Sequence, residues 1–420
     1  MPKSLYEFGE TPPLGEVPER MYASVIRQER YGPPKQAFRT EVVDVPAVGA
    51  GEVLVYVMAA GINYNNVWAS LGLPVDVIGM RQRQGLTEDF HIGGTDGSGV
   101  VWAVGEGVRH VRVGDRVVLS GGQYDEKDED IMLGADVATS KSGRAWGYET
   151  NYGSFAQFCL VRDYQCHPMP EKLSWEEAAG FVLCASTAYR QLFGWQGNTV
   201  QPGDPVLIWG GAGGLGSMAI QLVKMAGGVP IAVASGEARA QYCRDLGAKG
   251  VINRLEFDHW GRLPAIDDME ATAEFLKGAR AMGKQIWEIV GAKKSPQIVF
   301  EHPGRDTLPT SVYLCASGGM VVTCGATTGF DGTIDLRHLW MRSKRLQGSH
   351  GANARQFRDV VSLVDAGLLD PCLSTCERFE DIGSLHQLLF DNAHPVGNMA
   401  VLVNARERGT NTLEPSAGAR

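Results

Sequence analysis

Five glycines crowd into Gly210-Gly211-Ala212-Gly213-Gly214-Leu215-Gly216, directly after the apolar run Val206 to Trp209 and directly before a helical pattern. A strand that runs through G-x-G-x-x-G into a helix binds the pyrophosphate of a dinucleotide. The unpaired N–H groups of the helix start point at the phosphates, and the missing side chains let backbone and ligand approach. The spacing assigns Gly211 to the tight turn, Gly213 to the approach of the pyrophosphate and Gly216 to close helix–strand packing, with Ala212, Gly214 and Leu215 completing the backbone cradle. A glycine-rich turn without a ligand is the plain alternative. Some twenty residues on, an acid would accept the ribose 2′-hydroxyl of NAD. The run PIAVAS ends instead at Ser235, with Arg239 nearby and Arg254 after the next strand, which favours a phosphorylated ribose and hence NADPH. Glu237 leaves the acid reading open, and Arg239 also reads as a solvated helix residue. The eight cysteines are scattered without a CxxC pair, so neither a disulfide scaffold nor a structural zinc site is expected.

Such a cradle needs a sheet to carry it. From VLIWG onward, strand and helix patterns alternate through SMAIQLVKMAGG, PIAVAS, EARAQYCRDLG, GVI, IVFEHPG, GGMVVTCG and RLQGSH. Alternation with apolar strands predicts a doubly wound parallel sheet of Rossmann type covered on both faces. Earlier in the chain, MYASVIR, EVLVYVMAAGI, GSGVVWAVG, DRVVLSG and FAQFCLVR are short β-type runs between Gly and Asp turns, and predict a β-rich, barrel-like domain. The first twenty residues read as a loosely held arm that wraps a neighbour, and residues 121–145 as a long surface loop. Ser174 and Glu177 form a capping-box start for a helix through SWEEAAGFVLCASTAYRQLF. ARQFRDVVSLVDAGLL is helical, and GNMAVLVNA is a strand that rejoins the first domain. The expected division is 1–185 for the first part of the β-rich catalytic domain, 186–345 for the nucleotide-binding domain and 346–420 for the return.

A length of 420 residues suits two or three domains. With 44% apolar and 21% charged residues the chain is globular, and its net charge of −9 argues against nucleic acid or anionic lipid as a partner. No stretch approaches the roughly 20 apolar residues that span a bilayer, and the first residues carry charges where a signal peptide needs an apolar run. A cytoplasmic location is expected.

The motifs GINYNNVW, GTDGSGVVWAVGEGV, VGDRVV, STAYRQL and the glycine loop occur in the order found in medium-chain dehydrogenase/reductases, which the chain resembles along nearly its whole length. The resemblance implies an α/β protein with a GroES-like catalytic domain beside the Rossmann domain, and adds Thr187 of STAYRQL to the cofactor residues. In zinc alcohol dehydrogenases of that superfamily the residue after Gly-Ile is a metal-ligating Cys; here it is Asn63. The resemblance thus implies no metal, and a substrate reactive in its own right. A conjugated thioester qualifies, since hydride addition at its β-carbon gives an enolate that needs only hydrogen-bond donors. WGYETNYGSFAQF, IVFEHPGRDT and LWMRSKRLQGSH resemble signature regions of the crotonyl-CoA carboxylase/reductases. Membership implies reduction of an enoyl-CoA with NADPH, capture of CO2 by the enolate, and a homotetramer.

In that family CO2 is held by an asparagine, an aromatic residue, a glutamate and a histidine, which match Asn65, Tyr148, Glu149 and His350. Carbon dioxide carries neither charge nor dipole, so weak donors such as an amide and an imidazole suit its oxygens, while Glu149 is expected to orient a water or His350. Tyr64, Trp68, Trp146 and Tyr148 are candidate walls that keep protons from the enolate. The plainer readings are a turn residue for Asn65, a surface carboxylate for Glu149, a core histidine for His350 and ordinary packing for the aromatics. Two positions depart from the family pattern: SHGAN stands where many members have SHFAN, placing Gly351 after His350, and the aromatic before Glu149 is Tyr in place of Phe. The basic stretch Arg337 to Arg345 is a candidate for the CoA phosphates, or else a solvated face. Alternative functions are plain enoyl-CoA reduction and non-enzymatic NADPH binding. Biotin chemistry is disfavoured for want of an attachment sequence.

Overall fold

The computed structural model describes residues 3–265 and 267–413, which fall into two compact units. One runs from Cys184 to His350; the other combines the residues up to Leu183 with those from Gly351 onward. The boundary falls inside the helix Val182–Phe193.

The 184–350 unit is built on six parallel strands, β1 (Pro205–Ile208), β2 (Val229–Ala234), β3 (Gly250–Asn253), β4 (Ile298–Glu301), β5 (Met320–Thr323) and β6 (Arg345–Gly348). Their spatial order is β3-β2-β1-β4-β5-β6. Strand order therefore reverses between β1 and β4, and ligands of such sheets bind at the carboxyl ends beside that reversal. Leu207, Ile231, Val233, Val299 and Val321 form the core with Met282 and Ile286 of the helix Met269–Val290. The sequence reading assigns no element to that 22-residue helix, in which Gly278 and Gly283 weaken the propensity. It forms because Phe275, Ala279, Met282 and Ile286 bury one stripe, Asp268 caps its start and Gly291, at φ +78°, ends it.

The other unit is a β-rich body. Its largest sheet runs Cys166–Pro168, Arg116–Leu119, Gly97–Val104, Glu52–Gly61, Asn398–Leu402 and Leu373–Arg378, with Phe158–Arg162 also paired to Glu52–Gly61. Asn398–Leu402 pairs antiparallel with Glu52–Gly61 and parallel with Leu373–Arg378, so a late strand lies inside the sheet.

Three local expectations are corrected. The described part of the N-terminal arm is fastened to its own chain: Arg20 N donates to Ser4 O, Gln157 Nε2 to Tyr6 O, Trp102 Nε1 to Glu16 O, and Phe8 stacks on Tyr22. The backbone amide of Arg20 and the side chains of Gln157 and Trp102 supply donors to the arm's carbonyls. Residues 121–145 are not featureless, because Gly122–Gln123 pairs with Arg144–Ala145 and closes a loop that holds the short helix Glu129–Met132. The capping box at Ser174 forms, with Ser174 N donating to Glu177 Oε2 at 2.9 Å, but the helix stops at Ala179 and restarts at Val182.

Candidate active site

At the nucleotide end the glycines work by exclusion. A Cβ on Gly211 would lie 2.7 Å from Ala232 Cβ, and one on Gly216 would lie 2.3 Å from Gly210 O, well inside contact distance. The left-handed turn falls on Gly210, at φ +58°, and not on Gly211 as the spacing assigned it; a Cβ on Gly210 would meet His302 Nε2 at 2.7 Å. Gly213 caps the helix Gly214–Met225 in extended conformation with no side chain on the first amides, so those N–H groups and the positive end of the helix are left for an anion. Ala212 is buried, while Gly213, Gly214 and Leu215 are half-buried.

Ser235 stands at the carboxyl end of β2, half-buried, with Gly236 next to it at φ +78°. Asn253 Oδ1 accepts from both Gly236 N and Leu255 N and so joins the ends of β2 and β3, a tie the sequence reading missed. Glu237 pairs with Arg244 on its own helix, through a largely exposed carboxylate. Arg239 is half-buried and Arg254 exposed, both near these strand ends. Thr187 lies in Val182–Phe193, partly exposed.

A second unforeseen feature is Glu301, fully buried at the end of β4. Its Oε1 accepts from Thr307 Oγ1 (2.6 Å) and Gly304 N (3.0 Å), and its Oε2 from Ser311 Oγ (2.5 Å), whose oxygen accepts in turn from Trp209 Nε1 (2.8 Å). Burial pushes the carboxyl above its ordinary range, while these donors pull it back. The chain locks the end of β4 to the residue that opens the glycine loop; each of its buried groups would cost about 1–3 kcal/mol if left unpaired.

In the β-rich unit, Asn65 is the first residue of the helix Asn65–Leu71, not a turn residue, and is half-buried. Its Nδ2 donates to Thr95 Oγ1 at 3.1 Å, and its Oδ1 accepts from Asn66 Nδ2 at 3.1 Å. Asn66 Oδ1 accepts from Gly94 N at 3.3 Å. Next to Thr95, the wholly buried Asp96 accepts from Asn63 Nδ2 (2.7 Å) and Leu183 N (3.2 Å). Desolvation pushes its carboxyl up to about 7 against those two donors. A Cβ on Gly61 would lie 2.5 Å from Asp96 Oδ1, so glycine there makes room for the carboxyl.

Tyr148 and Glu149 ride on a segment stitched to residues 92–94: Gly153 N, Phe155 N and Ser154 N donate to the carbonyls of Ile92, Gly93 and Gly94. Gly147 is at φ +67°, and a Cβ on it would lie 2.0 Å from Gly94 O. Tyr148 OH donates to Leu73 O at 3.4 Å; burial and the nearby Glu149 push its phenol up to about 12. Glu149 Oε2 accepts from Ala145 N at 2.7 Å, so one carboxylate oxygen braces its own turn. Beneath the same segment His91 is fully buried. Desolvation and then the charge of Arg81, whose guanidinium is 3.2 Å from Nδ1, hold it neutral.

Of the candidate walls, Trp146 takes the plainer reading: it is fully buried with Nε1 donating to Leu160 O, and is core packing. Tyr64 and Trp68 meet edge to face at 5.3 Å and stay partly exposed. Thus Asn65, Tyr148 and Glu149 belong to the β-rich unit, whereas His350 is the last residue of the other, exposed just beyond β6. Gly351 follows at φ +54° with open space at its Cβ position. The basic stretch is largely spent internally: Arg337 pairs with Asp335, Lys344 donates to Val312 O and Tyr313 O, and Arg345 donates to Gln196 O and Asn198 Oδ1, while Arg342 stays exposed.

A glycine cradle at the switch point of a β3-β2-β1-β4-β5-β6 sheet, in a chain that also folds a β-rich body, defines a dinucleotide-dependent medium-chain dehydrogenase/reductase. The "Alcohol dehydrogenase GroES-like domain" family model matches residues 49–171, and "Zinc-binding dehydrogenase" matches 214–366. Among the described residues, however, no group of three or more His, Cys, Asp or Glu side chains is placed to hold a metal ion. A crotonyl-CoA carboxylase/reductase of Cereibacter sphaeroides is 49% identical, over 98% of this chain and 94% of its own. The solved structure of the crotonyl-CoA carboxylase/reductase AntE in complex with NADP is 63% identical, with a TM-score of 0.92, over 96% of this chain and all of that one. The 2-octenoyl-CoA carboxylase reductase CinF, solved with NADP and 2-octenoyl-CoA, is 36% identical with a TM-score of 0.85, over 95% of this chain and 91% of its own. The chain belongs to the crotonyl-CoA carboxylase/reductase family.

Proposed function

We propose that this protein reduces an α,β-unsaturated acyl-CoA with NADPH and adds CO2 to the α-carbon, giving a carboxylated acyl-CoA such as ethylmalonyl-CoA. The observation that carries the reading is the donor set around Asn65, where carboxamides and a threonine hydroxyl stand in a chain that also builds the dinucleotide cradle. The cradle fits the cofactor: the positions nearest the loop admit no side chain, and Ser235, Arg239 and Arg254 offer a hydroxyl and cations for a ribose 2′-phosphate. When bound, NADPH supplies the hydride for the β-carbon.

The remaining work falls to the chain's own residues. Negative charge develops on the thioester oxygen and α-carbon, and fixed N–H and O–H donors stabilise it without reorganising. Asn65, with one N–H spent on Thr95, offers its second N–H to an oxygen of CO2. We assign His350 to a second such contact, Glu149 to orienting a water or that imidazole, and Tyr148 to the edge of the pocket. Tyr64 and Trp68 shield the α-carbon from water, whose proton is the competitor of CO2. The same reading makes the protein a homotetramer of the cytoplasm that works without a metal; among the described residues no helix is long and apolar enough to cross a membrane.

The test is to follow NADPH oxidation with acrylyl-, crotonyl- and longer enoyl-CoA under labelled bicarbonate, counting label per hydride. About one label per NADPH is expected. Saturated, label-free thioester at high dissolved CO2 would reduce the proposal to plain enoyl-CoA reduction.

A further inference from the structure

Resting on the reading of Asn65 as a contact to CO2, we propose that Asn66 is a positioning residue that fixes the orientation of the Asn65 carboxamide, so that Asn65 presents an N–H and not its oxygen. A carboxamide is nearly symmetric in shape, and only its partners decide which end is nitrogen. Here the decision starts from a group that has no alternative. The Gly94 amide is a backbone donor, so the Asn66 atom 3.3 Å from it must be the oxygen. Asn66 Nδ2 is then directed at Asn65, 3.1 Å away, and the atom it meets must be an acceptor, Oδ1. That leaves the Asn65 nitrogen facing Thr95 Oγ1 at 3.1 Å, with one N–H uncommitted.

Two observations show that this chain is built in. Asn66 is fully buried, where a polar side chain needs partners to offset its desolvation. Gly93 clears the space it occupies, since a Cβ there would lie 2.0 Å from Asn66 Oδ1. The reversed Asn65 amide would set its nitrogen against the Asn66 nitrogen, donor against donor. It would also turn an oxygen toward the partly negative oxygens of CO2.

The experiment compares two variants by the ratio of carboxylated to merely reduced product. Asn66→Asp, assayed in the alkaline range where the new buried carboxyl is ionised, keeps the acceptor for Gly94 but offers Asn65 only acceptor oxygens. The Asn65 amide then rotates half a turn, giving its nitrogen to the new carboxylate and its oxygen to the Thr95 hydroxyl, which is able to donate. Asn66→Ala removes both bonds and leaves a mixture of orientations. The expected fall in the product ratio is about tenfold for N66D, in which the Asn65 amide is reversed throughout, and about threefold for N66A, in which only part of it is, each within the range of a single hydrogen bond. Total NADPH oxidation and the KM for NADPH should stay within about twofold, which a loss of fold would not allow.

A wild-type ratio in folded N66D, an N66A effect larger than that of N66D, or equal loss of reduction and carboxylation would each overturn the proposal. Should N66D fail to fold, N66A decides alone, and an unchanged ratio there is the overturning result. Failure of the underlying reading looks different: the wild type would then incorporate no label, or Asn65→Leu would leave the ratio untouched. A ratio that collapses in N65L and holds in N66D refutes the role of Asn66 alone.

Discussion

The two ends of this protein's chemistry are held in opposite ways. At the nucleotide end the backbone does the positioning: glycines at 210, 211 and 216 stand where any Cβ would collide, and the groups left for an anion are peptide N–H. In the β-rich unit side chains position one another, through the line Gly94, Asn66, Asn65, Thr95 and through Asp96 between Asn63 and Leu183. A backbone cradle tolerates almost no substitution but needs little support. An amide chain tolerates many shapes and fails when one donor becomes an acceptor. Binding is therefore expected to be brittle toward size, and product choice toward polarity.

The largest effect that would sharpen this contrast is Gly216→Ala. Its Cβ would press on the Gly210 carbonyl, and we expect about 2–3 kcal/mol of lost stability in thermal or denaturant unfolding, with NADPH binding impaired in the same measurement series. An unaffected KM for NADPH would break the idea of a steric cradle. Next comes Asn65→Leu, expected to retain reduction while the ratio of carboxylated to reduced product drops by about tenfold, as one lost donor implies. Proportional loss of both products would move Asn65 from chemistry to folding. Arg239→Ala should then raise the KM for NADPH by about tenfold and leave that for NADH nearly unchanged, since only the former carries the extra phosphate.

The smallest effect concerns pH. Asp96 has its carboxyl pushed up to about 7, above an unfolded value near ~3.9. Between these values the native state binds more protons than the unfolded chain. Its contribution to stability is thus complete in acid and lost as pH rises to about 7, with no further change above. His167 and His386, held down to about 4, act in the opposite sense, removing stability as pH falls below ~6.5. Subtracting the melting temperature of wild type from that of Asp96→Asn cancels the histidines. The difference should climb from pH 5 to 7 and then level off; a flat difference would show that Asp96 ionises normally.

What the sequence disclosed follows the same division. The glycine loop, the alternating strands and the turn from Ser235 to Arg239 are legible because they depend on neighbours within a few residues. Even there the left-handed position is Gly210, one residue before the expected Gly211, at a place where a Cβ would meet His302 just beyond β4. Asn65, Tyr148, Glu149 and His350 came from resemblance, and their partners were invisible. Thr95 and Gly94 lie about thirty positions from the asparagines they hold, and no local pattern links them. Glu301 carries no signal within IVFEHPG because its meaning depends on Ser311 and Trp209. Trp146 takes its plainer reading for a related reason: an aromatic beside candidate site residues looks the same in sequence whether it faces a ligand or, as here, the core.

Strand Asn398–Leu402 has a consequence for synthesis. It sits between Glu52–Gly61 and Leu373–Arg378, so the sheet to which Glu52–Gly61 contributes stays open until residue 402 has left the ribosome. The Cys184–His350 segment is contiguous and completes its own parallel sheet earlier. The body bearing Asn65 must therefore wait, with apolar strands exposed, for the interior of the polypeptide to finish first. Nascent chains of this protein should depend on chaperones most between the emergence of residue 61 and that of residue 402.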